Sequence, residues 1–289
     1  MDSFNRSMFA FAVFSTAIVV ACNSDSQSAR NDGAPPFDSQ SDGESGDGNG
    51  TAEAGPGGAK PDASAADSGP TTPPECVSNV GCNFVTFEAE DGVTIQGTLF
   101  GEGDKVIVLS HMWRRERSTW RDFADEAAAR GYLALTYDFR GYGETGGTED
   151  IPQIPVDTQA AYDFVSSQGA SEIVLVGASM GGMASIKVAA DAPTGLVGLV
   201  VIASPMEWLG LQVLPEDLTA LTMPTLWTAG EGDPAAAVEA MHTEAAGPDK
   251  TLMFVEGTSA HGTDIFGEAD TGPELSRQIF AFVERVMPL

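Results

Sequence analysis

Six short apolar runs, separated by stretches of a different periodicity, constrain the fold of this 289-residue chain more than any other feature. Residues 106–109, 132–137, 173–176, 196–202, 225–228 and 251–255 are mostly apolar and rich in β-branched and aromatic side chains. In 106–109, 132–137 and 173–176 this is the composition of strands buried on both faces, and the other three runs read as further strands. Between them, residues 118–130, 157–168, 180–190 and 235–246 read as helices, and 273–286 reads as a closing helix. In the first of these, Trp120, Phe123, Ala124, Ala127 and Ala128 fall at helical spacing, and Gly131 stands where a helix stop is expected. Upstream, residues 85–89 and 93–100 alternate apolar and polar around the turn pair Asp91-Gly92, the pattern of an antiparallel hairpin. A hairpin followed by strand–helix alternation predicts one α/β domain. Its sheet should be twisted and mostly parallel, with helices on both faces.

Charge and composition bound the rest of the chain. The formal net charge is -28. Residues 76–289 hold 11 basic and 31 acidic side chains, and residues 23–75 hold 2 and 10. Such a surface repels phosphates, so no nucleic-acid partner is expected. Residues 8–21 are apolar but too short to span a bilayer comfortably, and with Arg6 ahead of them they read as an export signal. The segment ends in Val19-Val20-Ala21-Cys22, which resembles a bacterial lipobox and implies lipidation of Cys22. An ordinary secretory signal with an incidental Cys22 is the alternative. Residues 23–74 contain almost no large apolar side chains, cannot bury enough surface to offset chain entropy, and read as a tether. Cys76 and Cys82 flank a short segment containing Gly81 at the tether's end. In an exported protein this reads as a disulfide-closed loop, with free thiols as the alternative. The expected organisation is a signal peptide (1–21), a lipidated cysteine with its tether (22–75) and a globular domain (76–289).

The chemistry concentrates at one junction. The run 173–176 passes directly into Gly177-Ala178-Ser179-Met180-Gly181-Gly182, a G-x-S-x-G motif between a buried strand and a helix. A serine hydroxyl is a weak nucleophile unless a base removes its proton. A sharp strand-to-helix turn exposes the hydroxyl and aims the helix N-terminus at developing negative charge. Three histidines compete for the base. His111 ends a strand upstream of the serine, and His242 lies within a helix. His261 sits in a small-residue loop after the last strand, where open α/β sheets place their sites, and is the candidate. The acid should lie between serine and base, just past a strand. Asp233 is favoured there over Glu231. Two backbone donors should complete an oxyanion hole, the amides of Met180 and Trp113.

Residues 84–289 resemble the bacterial α/β-hydrolase family, nearest its dienelactone-hydrolase-like and small esterase members. The resemblance rests on Leu109-Ser110-His111, on residues 137–144, on the 177–182 elbow, on residues 230–233 and on Ala260-His261-Gly262. It implies an α/β-hydrolase fold with Ser179, Asp233 and His261 as a catalytic triad and no metal or organic cofactor. Two departures stand out. Met112 replaces the glycine that many members carry after the strand-end histidine, and Ser179 replaces the cysteine of dienelactone hydrolases. Only residues 203–223 are available as a lid, so the pocket should be open and minimally covered, with His111, Met112, Arg114, Met206 and Trp208 as candidate substrate contacts. The expected function is hydrolysis of small or medium carboxylic esters through an acyl-enzyme, by a lipid-anchored exported protein. Peptidase or acyltransferase activity is one alternative, and a non-catalytic binding lipoprotein is another.

Arg114, Arg115, Arg117 and Arg121 follow the oxyanion loop directly. Local pairing with Glu116, Asp122 and Asp125 explains them without function. The other reading is an arginine-rimmed entrance for substrates bearing a carboxylate.

Overall fold

In the computed structural model, which describes residues 80–233 and 236–289, the chain opens with the expected hairpin of β1 (Cys82–Glu88) and β2 (Thr94–Phe100). Gly92 makes its turn at φ 85°. The elements that follow are β3 (Lys105–Ser110), α1 (Arg121–Ala129), β4 (Leu133–Tyr137), α2 (Ile154–Ser167), β5 (Glu172–Ala178), α3 (Met180–Ala190) and β6 (Leu196–Ile202). Then come β7 (Glu207–Trp208), β8 (Leu211–Gln212), α4 (Pro215–Ala220), β9 (Thr225–Gly230), α5 (Val238–Glu244), β10 (Lys250–Val255) and α6 (Gly272–Val286).

Eight strands form one sheet in the order β1-β2-β4-β3-β5-β6-β9-β10. The β1–β2 and β2–β4 pairs are antiparallel, and every other pair in this sheet is parallel. β3 and β5 lie at its centre and are buried almost throughout, which is why their sequences carry no polar alternation. The chain steps from β3 to β4 in one direction, then from β4 past β3 to β5 and on to β10 in the other. Right-handed crossovers therefore place α1 on one face and the helices from α2 onward on the opposite one. α6 returns to the face of α1, where Phe280 stacks on Phe123 with ring centroids 4.5 Å apart. The apolar side of α6 is Leu275, Ile279, Phe282 and Val283, a helical stripe closed over the sheet.

α3 has the expected limits and is buried on nearly all sides, so it needs no polar face. α2 begins three residues ahead of the expected start because Pro155 occupies its first turn, where a missing N–H costs nothing. The first turn expected of α1 is instead a 3₁₀ turn at Arg117–Trp120.

The segment between β6 and β9 departs furthest from expectation. It holds the two-residue strands β7 and β8, paired antiparallel, and then the short helix α4. Leu209 and Gly210 join the strands at φ 45° and 90°, the doubly left-handed geometry of a type I′ turn. Asp217 fixes the start of α4 by accepting a 2.7 Å bond from Leu214 N and pairing with Lys187. The tight hairpin projects Trp208 toward the carboxyl ends of the central strands.

Cys22 and Cys76 lie outside the described residues, as do the signal peptide and the tether. Cys82 is the first residue of β1.

Candidate active site

The turn from β5 into α3 holds Ser179 at φ 51° and ψ -118°, a conformation costly for a residue with a Cβ. Two glycines make room for it. A Cβ on Gly177 would collide with the carbonyl of Gly181, and one on Gly181 would lie 2.5 Å from the carbonyl oxygens of Ser110 and His111. The strained residue is tied down on both sides. Ser179 N donates to Ile202 O at 2.8 Å, and Ser204 Oγ donates to Ser179 O at 2.7 Å. The backbone is thus over-determined, and the side chain projects from the end of β5 toward two loops.

The first loop follows β10 and carries His261, whose Nε2 lies 2.8 Å from Ser179 Oγ. The second follows β9 and carries Asp233, whose Oδ2 lies 2.7 Å from His261 Nδ1. The Asp233 side chain is 2% exposed and that of His261 is 32% exposed. The carboxylate is therefore dry and the imidazole reachable. Glu231, the rival of Asp233, points into solvent. The two loops also brace each other, because Gly232 N donates to Thr258 O at 2.9 Å. His242 lies in α5, away from this group.

Met180 N is the first amide of α3, and Trp113 lies in the loop after β3. Among the described residues neither amide meets a protein acceptor. Both remain available to a ligand beside Ser179.

A cavity of about 380 Å³ opens onto Ser179 and His261. Its walls are Met112, Trp113, Pro205, Glu207 and Trp208. Trp113 and Trp208 meet edge to face, with centroids 5.0 Å apart. A larger cleft of about 680 Å³ lies between α1 and α6, but it contains neither Ser179 nor His261. Among the described residues, no cluster of three or more His, Cys, Asp or Glu side chains is placed to hold a metal ion.

Three of the expected substrate contacts, His111, Met206 and Arg114, are corrected, since none of them lines the cavity. His111 is fully buried and both ring nitrogens are engaged. Nδ1 lies 2.8 Å from Met112 O, and Nε2 accepts a bond from Phe139 N at 3.1 Å. Its ring packs against Phe139 and Tyr142. Burial pushes this imidazole down to about 4, against the opposing pull of Met112 O and the Asp138 carboxylate. A neutral ring, donating on one side and accepting on the other, ties the Met112–Trp113 loop to the loop after β4. Met206 packs against the core but does not line the cavity. Glu207, which the sequence reading overlooked, does line it.

The arginines divide differently from either expectation. Arg117 is buried and bonds to Asp138, with Glu144 at 2.5 Å, so its partners are distant in sequence. Arg115 grips Asp264 with two contacts at 2.9 Å, joining the loop after β3 to the His261 segment. Only Arg121 has a partner of the expected local kind, Asp122 at 3.9 Å. Arg114 is exposed at φ 56°, with its guanidinium stacked over the Trp113 ring at 4.1 Å. No arginine lines the cavity.

Comparison with known proteins agrees with this architecture. The family model described as serine aminopeptidase, S33 matches residues 101–218. A pimeloyl-[acyl-carrier protein] methyl ester esterase of Yersinia enterocolitica is 24% identical over 214 residues, 65% of this chain and 78% of that protein. The enzyme of the same name from Yersinia pseudotuberculosis is 29% identical over 118 residues, 39% of this chain and 43% of the relative, less than half its length. Among solved structures, an esterase of Pyrococcus furiosus superposes with a TM-score of 0.62 at 19% identity, covering 72% of this chain and 92% of the other.

Proposed function

We propose that this chain, an α/β-hydrolase, cleaves small or medium carboxylic esters through an acyl-enzyme on Ser179. The observation that carries the reading is the unbroken chain of hydrogen bonds from Ser179 Oγ through His261 to Asp233, starting at a strained and fully braced nucleophile. In this reading Ser179 Oγ attacks the acyl carbon as His261 Nε2 takes its proton. Asp233 holds the imidazole in the tautomer that has Nδ1–H, and it stabilises the imidazolium that forms. The amides of Met180 and Trp113 receive the oxyanion. His261 returns the proton to the leaving alcohol. A water then repeats the sequence on the acyl-enzyme and releases the acid. The apolar cavity beside Ser179 limits the acyl or alcohol part to modest size.

The curated relatives named as methyl ester esterases support ester chemistry. The test is hydrolysis of p-nitrophenyl acetate, butyrate and octanoate beside a Ser179→Ala control. Turnover confined to the wild type supports the reading, and equal rates in both proteins overturn it. Aminopeptidase activity is the second reading, favoured by the family model's description. Faster turnover of aminoacyl anilides than of any ester would select it.

The proposal includes export and anchoring through lipid on Cys22, with a Cys76–Cys82 bridge at the tether's end. Fatty-acid labelling that survives Cys22→Ser would refute the anchor. Free thiols at both Cys76 and Cys82 before reduction would refute the bridge.

A further inference from the structure

The cavity beside Ser179 carries one charged wall residue, Glu207, next to the aromatic pair Trp113 and Trp208. Glu207 is exposed on β7, and among the described residues its carboxylate has no basic partner. Arg114 sits on the Trp113 ring and does not line the cavity. Beside that ring, Trp113 Nε1 donates to Glu149 at 3.3 Å. Arg114 and Glu149 thus both flank the Trp113 ring, and Glu207 is the carboxylate that lines the cavity itself. Around it, residues 76–289 carry a net charge of -20. The arginine-rimmed entrance considered from sequence is therefore replaced by its opposite.

Aromatic walls with an unpaired carboxylate attract a cation twice, through the ring quadrupoles and through direct charge. Trp208 Nε1 is also shielded from solvent and has no hydrogen-bond partner among the described residues. It leaves a donor for an uncharged oxygen of the same ligand.

We infer that Glu207, Trp113 and Trp208 form a subsite for a quaternary or protonated amine, making esters that carry such a group the preferred substrates. This inference rests on the esterase reading and specifies its substrate class. The amine can sit on the alcohol side or the acyl side of the ester, so the probes come in two matched pairs. On the alcohol side, choline butyrate is compared with its uncharged isostere 3,3-dimethylbutyl butyrate. On the acyl side, the p-nitrophenyl ester of 4-(trimethylammonio)butyrate is compared with that of 5,5-dimethylhexanoate.

The wild type should favour the cation in at least one pair by about fivefold in kcat/KM, the factor given by roughly 1 kcal/mol between charges near 4 Å in water. The preference should shrink as salt is raised. Glu207→Gln should abolish it, bringing kcat/KM for cation and isostere in that pair to equality. A Ser179→Ala protein provides a readout that needs no turnover. Its tryptophan fluorescence should respond to choline butyrate at lower concentration than to the isostere. Equal kcat/KM for cation and isostere in both pairs overturns the subsite while the esterase reading stands. Failure to turn over any of the four esters counts against the esterase reading. The fluorescence titration then decides the subsite, and equal affinity for the two ligands overturns it.

Discussion

Acidification should destabilise this fold in a narrow window, because His111 is buried without charge. Its pKa falls from 6.5 to about 4 in the folded protein, chiefly through burial. The unfolded chain therefore takes up the proton first as pH falls. The contribution of the neutral ring is complete above the unfolded value and is lost as pH drops from 6.5 toward 4. At 1.36 kcal/mol per pKa unit the window is worth about 3 kcal/mol, of which about 2.5 is already lost near pH 4.5. Glutamine in place of His111 removes this titration. At neutral pH it also weakens the bonds to Met112 O and Phe139 N, at a cost of about 2 kcal/mol. Urea unfolding of wild type and His111→Gln near pH 7.5 and near pH 4.5 measures both effects. Wild type should be the more stable at the higher pH, and the two should converge at the lower. Carboxylates that titrate in both proteins cancel in the comparison. An equal loss of stability in both would refute the assignment of His111 as a buried neutral clamp.

Further outcomes follow from the same geometry. Asp233→Asn should leave the fold intact and lower kcat for p-nitrophenyl butyrate by about ten-thousandfold at neutral pH, because the wrong imidazole tautomer then faces Ser179. A loss of under tenfold would mean that Asp233 does not set the tautomer. Asp138→Asn removes the charge that Arg117 meets in the interior and disturbs the bonds from Arg117 N at 2.7 Å and Glu144 N at 3.0 Å. The expected cost is about 3 kcal/mol, a fall in Tm of about 10 °C by calorimetry. Trp208→Ala removes one wall of the cavity and the edge-to-face partner of Trp113, and should raise KM for the butyrate ester by about three- to tenfold.

The parts of this fold written in local periodicity were legible. β6 and α3 have the limits that their apolar patterns predict, and β5 runs two residues further because Gly177 and Ala178 continue the ladder without an apolar signature. The β7–β8 hairpin was not legible, since two residues per strand are too few to show alternation. The Leu209-Gly210 turn was its one local signal. The positions of Ser179, Asp233 and His261 could be read because each follows a strand of the parallel sheet, and the fold gathers the carboxyl ends of those strands at one edge. Burial of a single polar side chain leaves no such trace. His111 has the surroundings of a strand-end loop in sequence, yet it lies beneath Phe139 and Tyr142. The arginines failed for a related reason. Expected partners were sought within a helical turn, while Asp138 and Asp264 come from distant segments. Glu207 was passed over as one acid among many, and only the hairpin places it at the cavity.

The most direct test of Ser179 as a nucleophile activated by His261 is the intact mass of the folded protein after incubation with a fluorophosphonate. One adduct per chain is expected, mapped to Ser179, absent in Ser179→Ala and much slower to form in His261→Ala. A folded wild-type protein that remains unmodified, or one labelled at another serine, would contradict it.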